Sequence, residues 1–222
     1  MTAANYGLDT DRVSPPDPPL AALRRRATGR YAVDEFGGDP HLMDLVAPLF
    51  PLPVAVERGE RVPDLGPALL IANRGVGLLE PLAVTRAVRR AAGRRTRVVG
   101  APQLPIVGDA LRTLGTIGYR PDDVAAVLRA GHLAAAPLGP TWFHGGAGEP
   151  PRALLVATLG FPVLPVAVRP GFPLARPGRP WRVRFGEPLG PPAGTQRGDQ
   201  LAAAELAEEV GEAVSALLAG DA

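Results

Sequence analysis

Short apolar runs alternate with helical patterns along most of this chain. Runs of strand length, each bounded by Gly, Pro or polar residues, lie at residues 53–57, 68–72, 97–99, 133–136, 160–168 and 181–185. Apolar residues recur at helical spacing between these runs, which predicts helices over 20–28, 79–92, 121–130, 152–159 and 199–218, and one that starts at Asp39. Strands that alternate with helices in this way predict an α/β domain.

The N-terminal region differs in composition from the rest of the chain. Residues 1–19 are polar, and residues 15–19 contain four prolines, which favour extended polyproline geometry. We therefore expect residues 1–19 to form a flexible arm. Residues 20–222 are enough for one domain with a full core, and we expect a single domain there.

Composition excludes several classes of site and partner. The 222 residues include no cysteine, which excludes disulfides, thiolate metal sites and a cysteine nucleophile. The formal net charge is only +2, and this does not indicate a nucleic-acid partner. Residues 153–168 are apolar but broken by glycine and proline, and they are too short to cross a bilayer. With no signal-peptide pattern at the start, we expect a cytoplasmic chain without cofactor or metal, and peripheral contact with the inner face of a membrane stays open.

The stretch from residue 67 to residue 81 combines a strand, a glycine turn and a helix. The apolar run 68–72 ends at Asn73 and Arg74, and a turn with Gly75 and Gly77 follows. Ligands in α/β proteins are usually held at such a junction, because backbone donors and side chains converge at the carboxyl end of the strand. The sequence therefore predicts a ligand site here.

The same stretch resembles the first motif of the glycerophospholipid acyltransferase family, an apolar strand that ends in Ala-Asn-His and is followed by an acid. Asn73 and Pro81 match that motif, but Arg74 stands at the histidine position, and Glu80 lies six residues on instead of the usual five. The family histidine takes the proton from the acceptor hydroxyl, and the acid orients it. A guanidinium stays protonated and has no lone pair to accept that proton. The motif is therefore retained without its base.

A second block of the resemblance ends at Arg120, which matches the family arginine that holds the phosphate of the acceptor. The planar fork of a guanidinium suits a phosphate monoester. Arg120 also directly precedes the predicted helix over 121–130, where an exposed arginine beside Asp123 would serve only the surface. Both interpretations stay open at this point.

The third motif is altered as well. Residues 136–141 take the place of the usual Phe-Pro-Glu-Gly-Thr-Arg and read Ala-Pro-Leu-Gly-Pro-Thr. Gly139 keeps the turn, whereas Leu138 replaces the acid and Thr141 replaces the cation. Arg74, Arg120, Gly139 and Thr141 are the candidate ligand and phosphate-binding residues that the resemblance implies.

The resemblance extends over roughly residues 50–190 and implies a largely parallel, mixed sheet flanked by helices. It implies two alternative functions. In the first, a degenerate, non-catalytic site binds a phospholipid, an acyl thioester or a partner protein. In the second, the chain is an active 1-acylglycerol-3-phosphate O-acyltransferase that uses acyl-CoA or acyl-carrier protein, with Glu80 and His144 as a rearranged dyad.

Two other enzyme or binding classes fit the sequence poorly. A nucleotide-binding module needs a third glycine after Gly75 and Gly77, or the lysine of a phosphate loop, and the chain has neither. A serine hydrolase needs a nucleophile on a sharp turn, but the serines are Ser14 and Ser215, one in each terminal region.

Overall fold

The computed structural model describes residues 24, 28, 33–40, 42–43, 52–74, 79–100, 107–139, 142, 151–171, 179–190 and 198–220. Within these residues the strands are β1 (Val54–Glu57), β2 (Ala68–Ala72), β3 (Thr96–Val99), β4 (Thr116–Ile117), β5 (Leu133–Pro137), β6 (Val163–Arg169) and β7 (Trp181–Phe185). The helices are α1 (Leu79–Ala92), α2 (Val107–Thr113), α3 (Pro121–Arg129), α4 (Arg152–Thr158) and α5 (Gln200–Ala219), and a short 3-10 helix spans Gly59–Arg61. The predicted arm at 1–19 and most of the predicted helix at 20–28 lie outside the described residues.

The described strands form one seven-stranded sheet in the order β1-β7-β6-β2-β5-β3-β4. β2 pairs in parallel with β5 on one side and with β6 on the other, and β3 pairs in parallel with β5 and with β4. β7 is antiparallel to β6 and parallel to β1. The predicted α/β fold with a largely parallel, mixed sheet is therefore confirmed. β2, β3, β4, β5 and β6 all end at one edge of the sheet, here called the carboxyl edge, and the opposite edge is the amino edge.

Helices cover both faces because the central strands are apolar on both sides. Every residue of β2 is buried. Leu70 belongs to the cluster under α1, together with Val84 and Val88. Leu69 and Ile71 belong to the cluster under α3, α4 and α5. A strand buried on both faces reads as a continuous apolar run, and this is the pattern that residues 68–72 show.

Two buried arginines hold the amino edge together. Arg94 donates to the carbonyl oxygens of Pro63 (2.9 Å), Gly66 (2.6 Å) and Gly131 (2.9 Å), and so ties the chain before β2 to the chain before β5. Arg97 pairs with Asp34 in a buried ion pair. These contacts fix the ends at which the strands begin.

One strand was not predicted. β4 has only two residues, and the sequence pattern predicts no strand between residues 99 and 133. A two-residue strand has no alternation of apolar and polar residues to detect. β4 forms by pairing along the outer side of β3, where Val98 and Val99 pair with Thr116 and Ile117.

Candidate functional site

Asn73 fixes the turn that follows the central strand. Its side-chain nitrogen donates to the carbonyl oxygen of Val168 (2.9 Å), and its side-chain oxygen accepts from the backbone N–H of Val168 (2.6 Å). Its own backbone N–H donates to the carbonyl oxygen of Val166. The amide thus continues the pairing of β2 with β6 beyond the last strand residue. Arg74 then follows at a defined place on the carboxyl edge.

Arg74 packs directly onto Gly139, the glycine of the third motif. A Cβ atom on Gly139 would lie 3.0 Å from both Cζ and Nε of Arg74 and 3.3 Å from Nη1. Gly139 also has a φ of 123°, which side-chain-bearing residues rarely adopt. The neighbouring Leu138 donates its backbone N–H to the carbonyl oxygen of Ala72 (2.7 Å). The turns after β2 and β5 therefore meet, and the guanidinium lies at their junction.

Glu80 lies in the first turn of α1 and is only 1% exposed. The positive end of the helix dipole favours a carboxylate at this position. A carboxylate buried this deeply is stable only with compensating partners. Residues 75–78, which join Arg74 to α1, lie outside the described residues. In a degenerate, non-catalytic site we expect Glu80 to be the ion partner of Arg74, and this pairing stays a prediction.

Arg120 lies on the same edge of the sheet as Arg74, but at a distance from it. Three steps across the sheet, from β2 through β5 and β3 to β4, separate their strands, which amounts to about 14 Å at roughly 4.8 Å per step. The Arg120 side chain is 72% exposed, and its Nε lies 3.8 Å from Asp123 Oδ2. An exposed pair of this kind contributes little to stability. The Arg120 side chain is therefore accessible to a ligand. A single phosphate bound at Arg74 is too small to reach the backbone of Arg120.

Aromatic side chains lie between these two arginines. A Cβ atom on Gly100, directly after β3, would lie 3.6 Å from Trp142 Cδ1 and 3.9 Å from Tyr119 Cδ2. Trp142 is only 2% exposed, and its Nε1–H donates to the carbonyl oxygen of Val99 (2.8 Å). Trp142 thus caps the edge of the core, the structural role that a buried Trp with a satisfied N–H usually has. Burial raises the pKa of the Tyr119 hydroxyl, so this group stays neutral at ordinary pH.

The remaining predicted site residues lie outside the described part of the chain. These are Thr141 and His144. His132 is described, but it is buried at the amino edge, where its ring meets the Phe36 ring edge-on at 5.6 Å. It is therefore at the wrong end of β5 to act as a base for the turn at Arg74. Among the described residues, no three His, Asp or Glu side chains are placed to hold a metal ion.

Sequence reasoning missed two features of this edge. The two-way bond from Asn73 to Val168 was not predicted, although Asn73 itself was matched to the motif. The bond from Trp142 to Val99 was also missed. Both depend on strands that are far apart in sequence, and no local pattern reports them.

None of the helices in the described ranges is long and apolar enough to span a bilayer.

The chain matches no protein-family model. It is 30% identical over 256 residues to the uncharacterized protein Rv0502 of Mycobacterium tuberculosis, covering 88% of this chain and 71% of that protein. It is also 30% identical over 258 residues to the uncharacterized protein ML2427 of Mycobacterium leprae, covering 88% of this chain and 69% of that protein. Among solved structures it is similar to the 1-acyl-sn-glycerophosphate (LPA) acyltransferase PlsC of Thermotoga maritima. The TM-score is 0.51 at 20% identity, over 80% of this chain and 77% of that chain, and this likeness shows a shared fold.

Proposed function

The chain belongs to the family of these uncharacterized mycobacterial proteins, and we propose that it binds an acyl compound that bears a phosphate without transferring the acyl group. The ligand is a phospholipid or lysophospholipid, or else a coenzyme A thioester. The fold shared with a lysophosphatidic acid acyltransferase supports an acyl ligand. The proposed ligand lies at the carboxyl edge, where α/β proteins hold their ligands.

The contact of Arg74 with Gly139 carries this proposal. It puts a fixed positive charge at the junction of the two turns that follow β2 and β5. A guanidinium offers a planar fork of donors that matches phosphate oxygens. It cannot accept a proton from an attacking hydroxyl. The same residue therefore supports anion binding and opposes acyl transfer.

The other candidate residues have subsidiary roles in this proposal. Glu80 balances the charge of Arg74 from the first turn of α1, and Gly139 leaves room for the guanidinium. Thr141 adds a hydroxyl donor, and Arg120 contacts a second anionic group of an extended ligand. Loss of a catalytic base typically lowers the rate by about 10³ to 10⁶. We therefore expect binding without measurable turnover.

A binding assay and a turnover assay on the same protein test this proposal. Calorimetry with a short-chain lysophosphatidic acid and with acyl-CoA should give saturable binding. Transfer from acyl-CoA or acyl-carrier protein to lysophosphatidic acid or glycerol phosphate should be undetectable. Arg74→Gln should weaken binding about 10- to 100-fold, the usual effect of losing a hydrogen bond to a charged group. Arg74→His should not create turnover, because Leu138 and Thr141 still depart from the family motif.

The matched control is Arg129→Gln. Arg129 is an exposed arginine in the last turn of α3, at the amino edge, so its loss changes the net charge equally without touching the proposed site. An equal loss of affinity in both variants would mean that binding is not localised at Arg74. Robust turnover by the unaltered protein would contradict the non-catalytic function and favour the dyad of Glu80 and His144.

A further inference from the structure

Two helices, α1 and α5, lie on opposite faces of the sheet and carry opposite charge. On one face, the outward side of α1 carries Arg86, Arg89 and Arg90, while its acid, Glu80, is buried. On the other face, α5 is the long C-terminal helix, and its sequence contains no cation. Its four glutamates are all exposed, namely Glu205, Glu208, Glu209 and Glu212. The arginines of α1 and the glutamates of α5 therefore lie on opposite faces of the sheet.

The arginines of α1 are close neighbours. Arg86, Arg89 and Arg90 are spaced i, i+3 and i+4, so that they share one turn of the helix surface. Burial and, to a lesser extent, the charge of the nearby Arg89 lower the pKa of Arg86, as expected for cations that lie close together. Arg90 also donates to the carbonyl oxygen of Val54 (3.1 Å), and this bond fixes its position. Three cations thus lie together on one helical turn.

A fourth cation adjoins this turn. A Cβ atom on Gly59 would lie only 3.1 Å from Ala91 Cβ, so the 3-10 helix packs against the last turn of α1. The exposed Arg58 directly precedes Gly59, and the exposed Glu60 follows it. We define the basic face as Arg58, Arg86, Arg89 and Arg90. Together with Glu60, these described side chains have a summed formal charge of +3.

We propose that the basic face docks the protein on an anionic lipid surface, with α5 turned away from the lipid. A planar anionic surface attracts the arginines and repels the glutamates of α5, so that the charge separation orients the molecule. A nucleic acid is a poorer match, because α1 carries no aromatic side chain on which a base could stack. This docking goes beyond the proposed function, since it does not depend on whether the edge at Arg74 binds or transfers an acyl group.

Vesicle flotation tests the docking. The probes are vesicles of phosphatidylcholine alone and of phosphatidylcholine with one third phosphatidylglycerol, at low and at physiological salt. The unaltered protein should float with the anionic vesicles only, and less at higher salt. In the double variant Arg86→Gln with Arg89→Gln, partitioning should fall about 30-fold, since each arginine near an anionic surface contributes about 1 kcal/mol. Arg90 is left in place because of its bond to Val54.

The control variant is Arg129→Gln with Arg152→Gln, which removes two exposed arginines from α3 and α4 on the other face of the sheet. It should bind anionic vesicles within about threefold of the unaltered protein, because its charges lie on the side turned from the lipid. An equal loss in both variants, or equal binding to neutral vesicles, would overturn the proposal. The proposal would also be overturned if the protein bound a single-stranded oligonucleotide more tightly than anionic vesicles and the Arg86 and Arg89 substitutions abolished that binding.

Two further measurements distinguish a loss of membrane docking from a loss of folding and from a loss of ligand binding. Thermal unfolding of both double variants should match that of the unaltered protein, which shows that lost flotation is not lost folding. Calorimetric binding of soluble short-chain lysophosphatidic acid should be unchanged in the Arg86 and Arg89 variant, because Arg74 is intact. If soluble ligand fails to bind while flotation behaves as expected, the proposed function is wrong and the docking surface stands.

Discussion

Gly139→Ala is the substitution that most directly tests how the fold holds Arg74. The backbone at Gly139 has a φ of 123°, and an L-residue in such a region costs about 1–3 kcal/mol in the free energy of unfolding. The added Cβ would lie 3.0 Å from Arg74 Cζ and Nε. Since ordinary contacts begin near 3.4 Å, the guanidinium has to move by several tenths of an ångström. We expect a fall of several degrees in Tm and displacement of Arg74 from the ligand position.

Gly160→Ala separates the effect of backbone strain from the effect of the contact with Arg74. Gly160 also has a positive φ, of 97°, but a Cβ there would meet no heavy atom within 4 Å. Both variants should lose similar stability in chemical denaturation, because both carry the same class of backbone strain. Only Gly139→Ala should weaken calorimetric binding of lysophosphatidic acid, by about tenfold or more, as a displaced charged donor would. Unchanged binding in Gly139→Ala, or equal weakening in Gly160→Ala, would refute the role given to the contact between Arg74 and Gly139.

Three further predictions concern charges elsewhere in the fold. Arg120→Ala should weaken calorimetric binding of acyl-CoA more at low salt than at high salt, because screening is weakest there, and equal affinity at low salt would remove Arg120 from the ligand contact. Glu80→Gln should lower Tm, since loss of one partner of a buried charge pair typically costs about 3–5 kcal/mol, whereas His144→Ala should leave Tm and ligand affinity nearly unchanged, and the reverse result would favour the catalytic dyad. Arg97→Met should cost a similar amount in urea unfolding, because it leaves the partly buried Asp34 carboxylate without its ion partner, and Asp34→Leu added to it should not recover the loss, because that carboxylate also accepts the backbone N–H groups of Phe36 (3.0 Å) and Gly38 (2.9 Å); a loss below about 1 kcal/mol would contradict this.

The central part of the fold could be predicted because its patterns are local and strong. Residues 68–72 and 79–92 were predicted as a strand and a helix, and β2 and α1 have those same bounds. A doubly buried strand is apolar at every position, and α1 shows a clear apolar stripe. Neither pattern depends on distant parts of the chain, so one sequence is enough to detect it.

The buried arginines could not be predicted, because their burial depends on distant carbonyl oxygens. Arginine is seldom fully buried, so nothing in the sequence marks Arg94 and Arg97 as buried residues. In the fold, Arg94 meets the backbone of Pro63, Gly66 and Gly131. Those three carbonyls come together only after β2, β3 and β5 are aligned. Strand-level patterns carry no information about such contacts.

The sequence could indicate which end of the sheet Arg74 lies at, but not the distances between the candidate residues. The sequence pattern puts Arg74 just after a predicted strand, whereas Arg120 follows β4, which was not predicted; the parallel strands bring both residues to the carboxyl edge. Their separation depends on the strand order, in which β5 and β3 come between β2 and β4. Strand order is set by how the helices cross over the sheet, and no motif spacing reports it.

The motif residues that this chain retains are those that the backbone needs. Asn73 extends the pairing of β2 with β6, and Gly139 permits a positive φ. The histidine position, by contrast, holds Arg74, and Leu138 packs against the apolar cluster on the face of α3 to α5. A fold needs its turn residues whether or not a reaction takes place, so their retention is evidence for the fold and not for catalysis. Arg74, which stands at the histidine position of the motif that the sequence resembles, is therefore the informative residue. No turn requires an arginine there, and a phosphate-bearing ligand would account for it.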